Sequence, residues 1–368
     1  MKKLIVFVLC VSLAMGIIGC ESKKKEADNN KKTEESSKKD VVNDPDMYEG
    51  AVLYTDLINK VGAIPKPTKD LTIGFAAKAF ENEFWGAVKK GVEAQGEELK
   101  KTGMNLILDV RAGQGEADEQ GQAALMNDMI NKKYDAIIAS PISDGNLVQA
   151  TEKAQAAGIP VINTIGGFCQ VMDVFVGPRS QQCGELAAEW ISNKLGETGG
   201  NVAVIMGMPK ESAARGRTEG FVQWLEKNNK NIKVVDTQNA DWDRQKAKEV
   251  MDTLIKKHPD LKAVYVNNDT MVMGALESIM AAGKKEQILV VGNDGTNEAL
   301  QSIKEGKLDA TINMFPEYAG KISVDIALRK LGGQELPKVI YTNLAIIDST
   351  NIDKDPEEVI GWSPLQFK

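Results

Sequence analysis

Leu71-Thr72-Ile73-Gly74-Phe75-Ala76 is a short apolar and β-branched run, and after the polar turn Lys78-Ala79-Phe80-Glu81-Asn82-Glu83 it gives way to an amphipathic stretch from about Phe84 to Lys101. Such a unit predicts a buried strand followed by a helix. The unit recurs. Asn105 to Asp109 precedes a helical pattern from Glu116 to Lys132, Ala136-Ile137-Ile138-Ala139-Ser140 precedes Asn146 to Ala157, and Pro160-Val161-Ile162-Asn163-Thr164 closes this first set. By alternation alone a second set opens near Val174-Phe175-Val176. It continues through Asn201 to Met206, Ile232 to Thr237, Ala263 to Val266, Ile288 to Gly292 and Asp309 to Asn313. Continuous apolar strands alternating with helices predict parallel sheets covered on both faces through right-handed crossovers. Two sets predict an α/β fold of two doubly wound parallel-sheet lobes.

Composition narrows the function. The 368 residues carry 45 Lys and Arg against 52 Asp and Glu, a net charge of −7, which argues against a phosphate backbone as partner. The single histidine, His258, leaves no paired-histidine metal site and removes the usual base of hydrolytic chemistry. No Gly-x-Gly-x-x-Gly opens the first helix, and neither a Walker A run nor a Gly-x-Ser-x-Gly elbow occurs. The chain is therefore expected to be no enzyme and to need no metal and no cofactor.

The N-terminus reads as an export segment. Met1-Lys2-Lys3 is a basic start, and Leu4 to Ile18 is an apolar run shorter than the ~20 residues a membrane-spanning helix needs. Its end, Ile17-Ile18-Gly19-Cys20, resembles the lipobox of bacterial lipoproteins, although Ile18 is bulkier than the small residue usual there. That resemblance implies removal of residues 1–19 and lipidation of Cys20, with two acyl chains sufficient for anchoring to the cell membrane. Residues 20–46 then form a lipidated, disordered tether, because Glu21 to Asp46 is mostly Lys, Glu, Asp, Asn and Ser. Its reach at full stretch is about 90 Å. Residues 47–69 read as an extension containing one short amphipathic helix from about Tyr48 to Val61.

In open parallel sheets, ligands bind beyond the carboxyl ends of the strands, so the residues just after each run matter most. These are polar and aromatic: Lys78 to Trp85, Ser140-Pro141, Asn163-Thr164, Ser212-Ala213-Ala214-Arg215-Gly216-Arg217, Asp241-Trp242-Asp243-Arg244, Asn267-Asn268-Asp269 and Asn293-Asp294-Gly295-Thr296. Of five tryptophans, Trp85 and Trp242 stand at strand ends in opposite sets. Aromatic faces beside amide, carboxylate and guanidinium groups suit a small polyhydroxylated ligand.

The ordered segments Asn82-Glu83-Phe84-Trp85, Ser212 to Arg217, Ala240 to Arg244, Asn268-Asp269-Thr270-Met271 and Gly292 to Thr296 resemble the extracytoplasmic sugar-binding proteins of ABC importers, in the ribose- and allose-binding branch. The resemblance covers about 71–345 and implies the type I periplasmic binding protein fold. Its two discontinuous lobes, joined by three crossing segments, would here be 70–177 with 315–344 and 178–314 with 345–368. It implies ligand contacts from Lys78, Asn82, Phe84, Trp85, Ser140, Arg217, Trp242, Asn268 and Asp294, to which the strand-end residues Asn163 and Asn293 are added. The partners implied are a monosaccharide or polyol and an ABC permease, with the binding protein itself a monomer outside the cytoplasm.

This sequence departs from that branch at four places. Ile165-Gly166 stands where an acidic residue usually follows the fourth strand, Met314 where a Gln is usual, Asn293 where an aromatic is usual and Glu83 where a proline is usual. Two cations, Lys78 and Arg217, against one lost anion leave a sugar acid open as the ligand, as well as a furanone signal. A sensor for a chemoreceptor or histidine kinase would use the same lobes. The effector domain of a lac-repressor-type regulator is disfavoured by the export signal. Several residues also have plain structural readings: Asp243 and Arg244 as a helix cap and first turn, Gly292 and Gly295 as turn glycines, Arg215 as a surface pair, Trp190 and Trp224 as packing. Cys169 and Cys183 flank a strand in an oxidising compartment, where a disulfide and two buried thiols are both open readings.

Overall fold

The computed structural model describes residues 44–64, 67, 69–355 and 358. The export segment, Cys20 and nearly all of the tether lie outside the described residues. The body starts with β1 (Val52–Leu53) and α1 (Tyr54–Val61). It continues as β2 (Leu71–Ala77), α2 (Glu83–Lys101), β3 (Leu106–Ala112), α3 (Glu119–Asn131), β4 (Ala136–Ala139), α4 (Val148–Ala156), β5 (Val161–Thr164) and β6 (Val174–Gly177). Then follow α5 (Ser180–Leu195), β7 (Gly200–Met206), α6 (Ser212–Asn228), β8 (Ile232–Asn239), α7 (Arg244–Lys257), β9 (Leu261–Val266), α8 (Asp269–Ala281), β10 (Leu289–Asp294), α9 (Asn297–Lys304) and β11 (Ala310–Asn313). The last elements are α10 (Pro316–Leu331), β12 (Val339–Tyr341) and β13 (Ala345–Asp348).

The strands form two sheets, in the orders β1-β12-β6-β5-β4-β2-β3 and β13-β11-β10-β9-β7-β8. Every pairing is parallel except that of β11 with β13, which runs antiparallel with Ile312 opposite Ile346. Strand order reverses at β2 in one sheet and at β7 in the other, so each has a crevice at the carboxyl ends of its central strands. The chain passes between the sheets three times: after β6, between β11 and α10, and between β12 and β13.

Val174–Gly177 does not open the second set, as alternation alone predicted. It pairs with β5, Ile162 opposite Val174, and joins the first sheet after a connection that contains no helix. The strands β12 and β13, which the apolar-run pattern did not flag, return the chain to each sheet in turn.

Helices cover the sheet faces through apolar stripes such as Phe84, Trp85, Val88, Val92 and Leu99 on α2. Close approach of paired helices depends on glycine. A Cβ on Gly91 would lie 1.9 Å from the Glu317 carbonyl where α2 meets α10, and one on Gly184 would lie 2.0 Å from the Arg217 carbonyl where α5 meets α6. The N-terminal extension is part of this packing. β1 pairs with β12 at the edge of the first sheet, and the Tyr54 hydroxyl donates to Asp325 Oδ2 at 2.6 Å. Arg329 donates to the same carboxylate at 2.9 Å and to the Gly62 carbonyl at 2.8 Å.

The disulfide reading is overturned: Cys169 and Cys183 are free, buried thiols. Cys183 sits on α5 in the large core cluster, whereas Cys169 packs among Met126, Ala150 and Met172 in a separate one. Burial pushes the Cys183 thiol up to about 12.

Candidate functional site

The loops at the two crevices converge on one cavity. Lys78, Asn82, Phe84, Trp85, Glu116, Ile165 and Gly166 line it from the first sheet's side, and Glu211, Arg217, Trp242, Asn268 and Asp294 from the second. Lys78 follows β2 directly and is 2% exposed. Asn82 caps α2, accepting from the Phe84 amide at 3.0 Å, so the cap that starts the helix also sets Phe84 and Trp85 on its first turn. The indole of Trp85 donates to Glu116 Oε1 at 2.9 Å, and the Asn82 carboxamide donates to the same oxygen at 2.7 Å.

The second side repeats this arrangement with other elements. Trp242 lies in the turn between β8 and α7, and its indole donates to Glu211 Oε2 at 2.8 Å. Its ring is seated over Gly207, where a Cβ would lie 2.2 Å from the ring. Arg217, on the second turn of α6, donates to the Asn267 carbonyl at 2.5 Å and stands 3.4 Å from Asp294. Its Nε has no hydrogen-bond partner. Burial pushes the Asp294 carboxyl well above the usual carboxylate range, with Arg217 pulling against it. Each indole faces a cation: Lys78 Nζ is 5.4 Å from the Trp85 ring centre and Arg217 Cζ is 5.6 Å from that of Trp242.

Backbone strain gathers here. Ile165, Asp241, Trp242, Asp294 and Phe315 all have positive φ without being glycine. All five stand at strand ends or crossings around the cleft, and each such residue costs about 1–3 kcal/mol that the surrounding packing must hold.

The cleft is closed. The Lys78 ammonium reaches Glu211 across it at 2.8 Å. Two carboxylates from the first side seat on helix starts of the second. Glu83 accepts from the Asn297 and Glu298 amides at 3.0 and 3.2 Å, and Asp144 accepts from the Ser212 amide at 3.0 Å and Arg215 at 2.6 Å. Arg215 thus bridges the two sides. The inner cavity holds about 30 Å³, room for one or two waters, so any larger ligand enters only when the sides part. A groove of about 1100 Å³ adjoins it and shares Asn82, Glu116 and Trp242 as walls.

Eight residues predicted from sequence come together on the cavity: Lys78, Asn82, Phe84, Trp85, Arg217, Trp242, Asn268 and Asp294. Three do not line it. Ser140 directly follows β4, with its hydroxyl buried and unpartnered. Asn163 ties the loop after β5, bonding the Ile165 carbonyl at 3.1 Å and the Cys169 amide at 2.8 Å. Asn293 lies under the site, its carboxamide within 3.4 Å of the Tyr265 hydroxyl and Asp294. Asp243 caps α7, accepting from Lys246 at 2.7 Å. Gly292 is no turn residue. It lies within β10, where a Cβ would lie 2.4 Å from the Asp269 carboxylate that binds the Gly295 and Thr296 amides.

Glu116 and Glu211 escaped the sequence reading. Glu116 was placed at the head of a helix, but α3 begins at Glu119 behind the cap Asp118, which accepts from the Gly121 amide at 2.9 Å. Recognising Asp118 as the cap would have left Glu116 on a strand-end loop. Glu211 immediately precedes Ser212, the first residue of α6. With both in place the cavity has three carboxylates against two cations, so the cation surplus expected from sequence does not exist.

The Periplasmic binding protein domain family matches residues 73–335. The chain belongs to the periplasmic binding protein family. Among this family's members, the ribose import binding protein RbsB of Bacillus subtilis is 37% identical over 280 residues, 76% of this chain and 87% of that protein. An ABC transporter periplasmic solute-binding protein from Actinobacillus succinogenes, solved with bound D-allose, superposes with a TM-score of 0.72 at 27% identity, covering 78% of this chain and all of that one. A solute-binding protein from Bacillus halodurans with bound myo-inositol gives 0.69 at 26% identity, covering 79% and 98% of the two chains.

Proposed function

We propose that this periplasmic binding protein is the solute-binding component of an ABC importer, capturing a monosaccharide or polyol between two closing lobes and presenting the closed form to a membrane permease. The observation that carries the reading is the duplicated arrangement on one cavity, in which each side supplies a tryptophan, a carboxylate and a cation. Indole faces pack on the C–H faces of a sugar while carboxylate, amide and guanidinium groups bond its hydroxyls. The relatives named for ribose, allose and myo-inositol support this ligand class. Lys78, Asn82, Phe84, Trp85, Arg217, Trp242, Asn268 and Asp294 are the contacts, with Ser140, Asn163 and Asn293 supporting them from behind.

The lobes are assigned as 70–177 with 315–344 and 178–314 with 345–368. Contacts from both lobes make the ligand bind the closed state better, which shifts the population toward closure. The protein works as a monomer without catalysis or nucleic acid, held outside the cytoplasm by lipid on Cys20. A thermal-shift screen of residues 44–368 against pentoses, hexoses and inositols tests the reading. A saturable shift of several degrees with one compound is expected, and its absence across the panel would overturn it.

A further inference from the structure

We propose that Glu116 and Glu211 set the specificity of the cleft, so that it selects neutral polyhydroxylated ligands and rejects sugar acids. This inference rests on the sugar-binding reading above. Glu211 is the positioning residue. It is 2% exposed, and both of its oxygens are used, Oε1 by Lys78 at 2.8 Å and Oε2 by the Trp242 indole at 2.8 Å. It therefore pairs the Lys78 charge inside the protein, and a ligand carboxylate would have to compete with Glu211 for that ammonium.

Glu116 is the contact residue. The Asn82 and Trp85 donors both fall on Oε1, which leaves Oε2 free to accept from a ligand hydroxyl. Among the described residues no lysine or arginine lies within ion-pair distance of Glu116. Burial raises its pKa, so this carboxylate is held at a cost that a hydroxyl donor lowers and a second carboxylate increases. Arg217 does not reverse the balance, because Asp294 faces it at 3.4 Å. Gly166 borders the same lysine: its backbone runs at φ +75°, and a Cβ there would lie 2.7 Å from the Pro141 carbonyl and 3.1 Å from Lys78 Cε, so this wall of the cavity has no room for a side chain.

The test is calorimetry on wild type, Glu116→Gln and Glu211→Gln with D-ribose, D-allose and myo-inositol against D-ribonate, D-glucuronate and D-galacturonate. Wild type is expected to bind a neutral compound at least a hundredfold more tightly than any acid. Each variant removes one negative charge and should narrow that gap at least tenfold, with Glu116→Gln also losing about tenfold for the neutral ligand. A purely structural role would weaken both ligand classes alike and leave the ratio unchanged. If wild type binds a sugar but the ratio is unmoved in both variants, or if an acid binds as well as the neutral sugars, this inference falls while the sugar-binding reading stands. If wild type binds none of the six, the function itself is wrong. Should Glu211→Gln fail to fold with Lys78 unpaired, the double variant Lys78→Met/Glu211→Gln replaces it. That variant is expected to keep discrimination against acids through Glu116, and loss of all discrimination would overturn the role given to Glu116.

Discussion

The two halves of the cleft hold the same three groups but build them differently. On the first side, Trp85 sits on the opening turn of α2, a regular helix capped by Asn82. On the second, Trp242 stands in a turn with φ 66°, beside Asp241 at 51° and ahead of Asp294 at 138°. The tryptophan of one half takes its geometry from local helix formation, whereas that of the other is imposed by packing, which holds it on strained backbone. Trp85 should find its place as soon as α2 forms, and Trp242 only when its lobe is packed.

Asp294→Ala should have the largest effect, because it leaves Arg217 buried without its carboxylate. A destabilisation of about 3–5 kcal/mol in chemical denaturation is expected, together with loss of calorimetric binding. Retained stability would mean that the Asn267 carbonyl alone suffices to hold the buried Arg217. On the first side, Tyr54→Phe removes a donor from the Asp325 carboxylate far from the cavity and should cost about 1–2 kcal/mol of stability while leaving the dissociation constant within twofold. A binding loss comparable to that of Asp294→Ala would break the distinction between the two halves.

The tryptophans test the strain directly. Replacing Trp242 by Gly should destabilise the protein less than replacing it by Ala, by about 1 kcal/mol, because φ 66° suits glycine. At Trp85, on a helix, the order should reverse by about the same amount. The smallest effect is expected from Glu83→Gln, which weakens two amide bonds to the start of α9. Affinity should fall about two- to tenfold while the closed-state contacts of Asp144 persist. Small-angle scattering of the liganded variant should still report a closed form.

The fold was readable wherever a strand is a continuous apolar run, as at Leu71–Ala77 or Leu261–Val266, because burial on both faces leaves little room for polar residues. It was not readable at Val339–Tyr341, only three residues long, or at Ala345–Asp348, which is half-buried, because both are fixed by partners far away in sequence. Most of the site residues fell at the predicted strand ends. Glu116 and Glu211 did not, because a carboxylate just ahead of a helix looks the same in sequence whether it faces solvent or a cavity. Val174–Gly177 joined the first sheet because pairing with β5 decides a strand's place, and alternation says nothing about pairing.

The edge strand β1 finds its place in the first sheet through β12, Val52 beside Ile340, so one of the earliest described segments waits for one of the latest. During synthesis the first sheet cannot gain this outer edge until nearly the whole chain has emerged. Such a long-range pairing slows closure of the native structure. In kinetic terms the interleaved lobes act as a delay, holding back completion of the first sheet until the last part of the chain is in place.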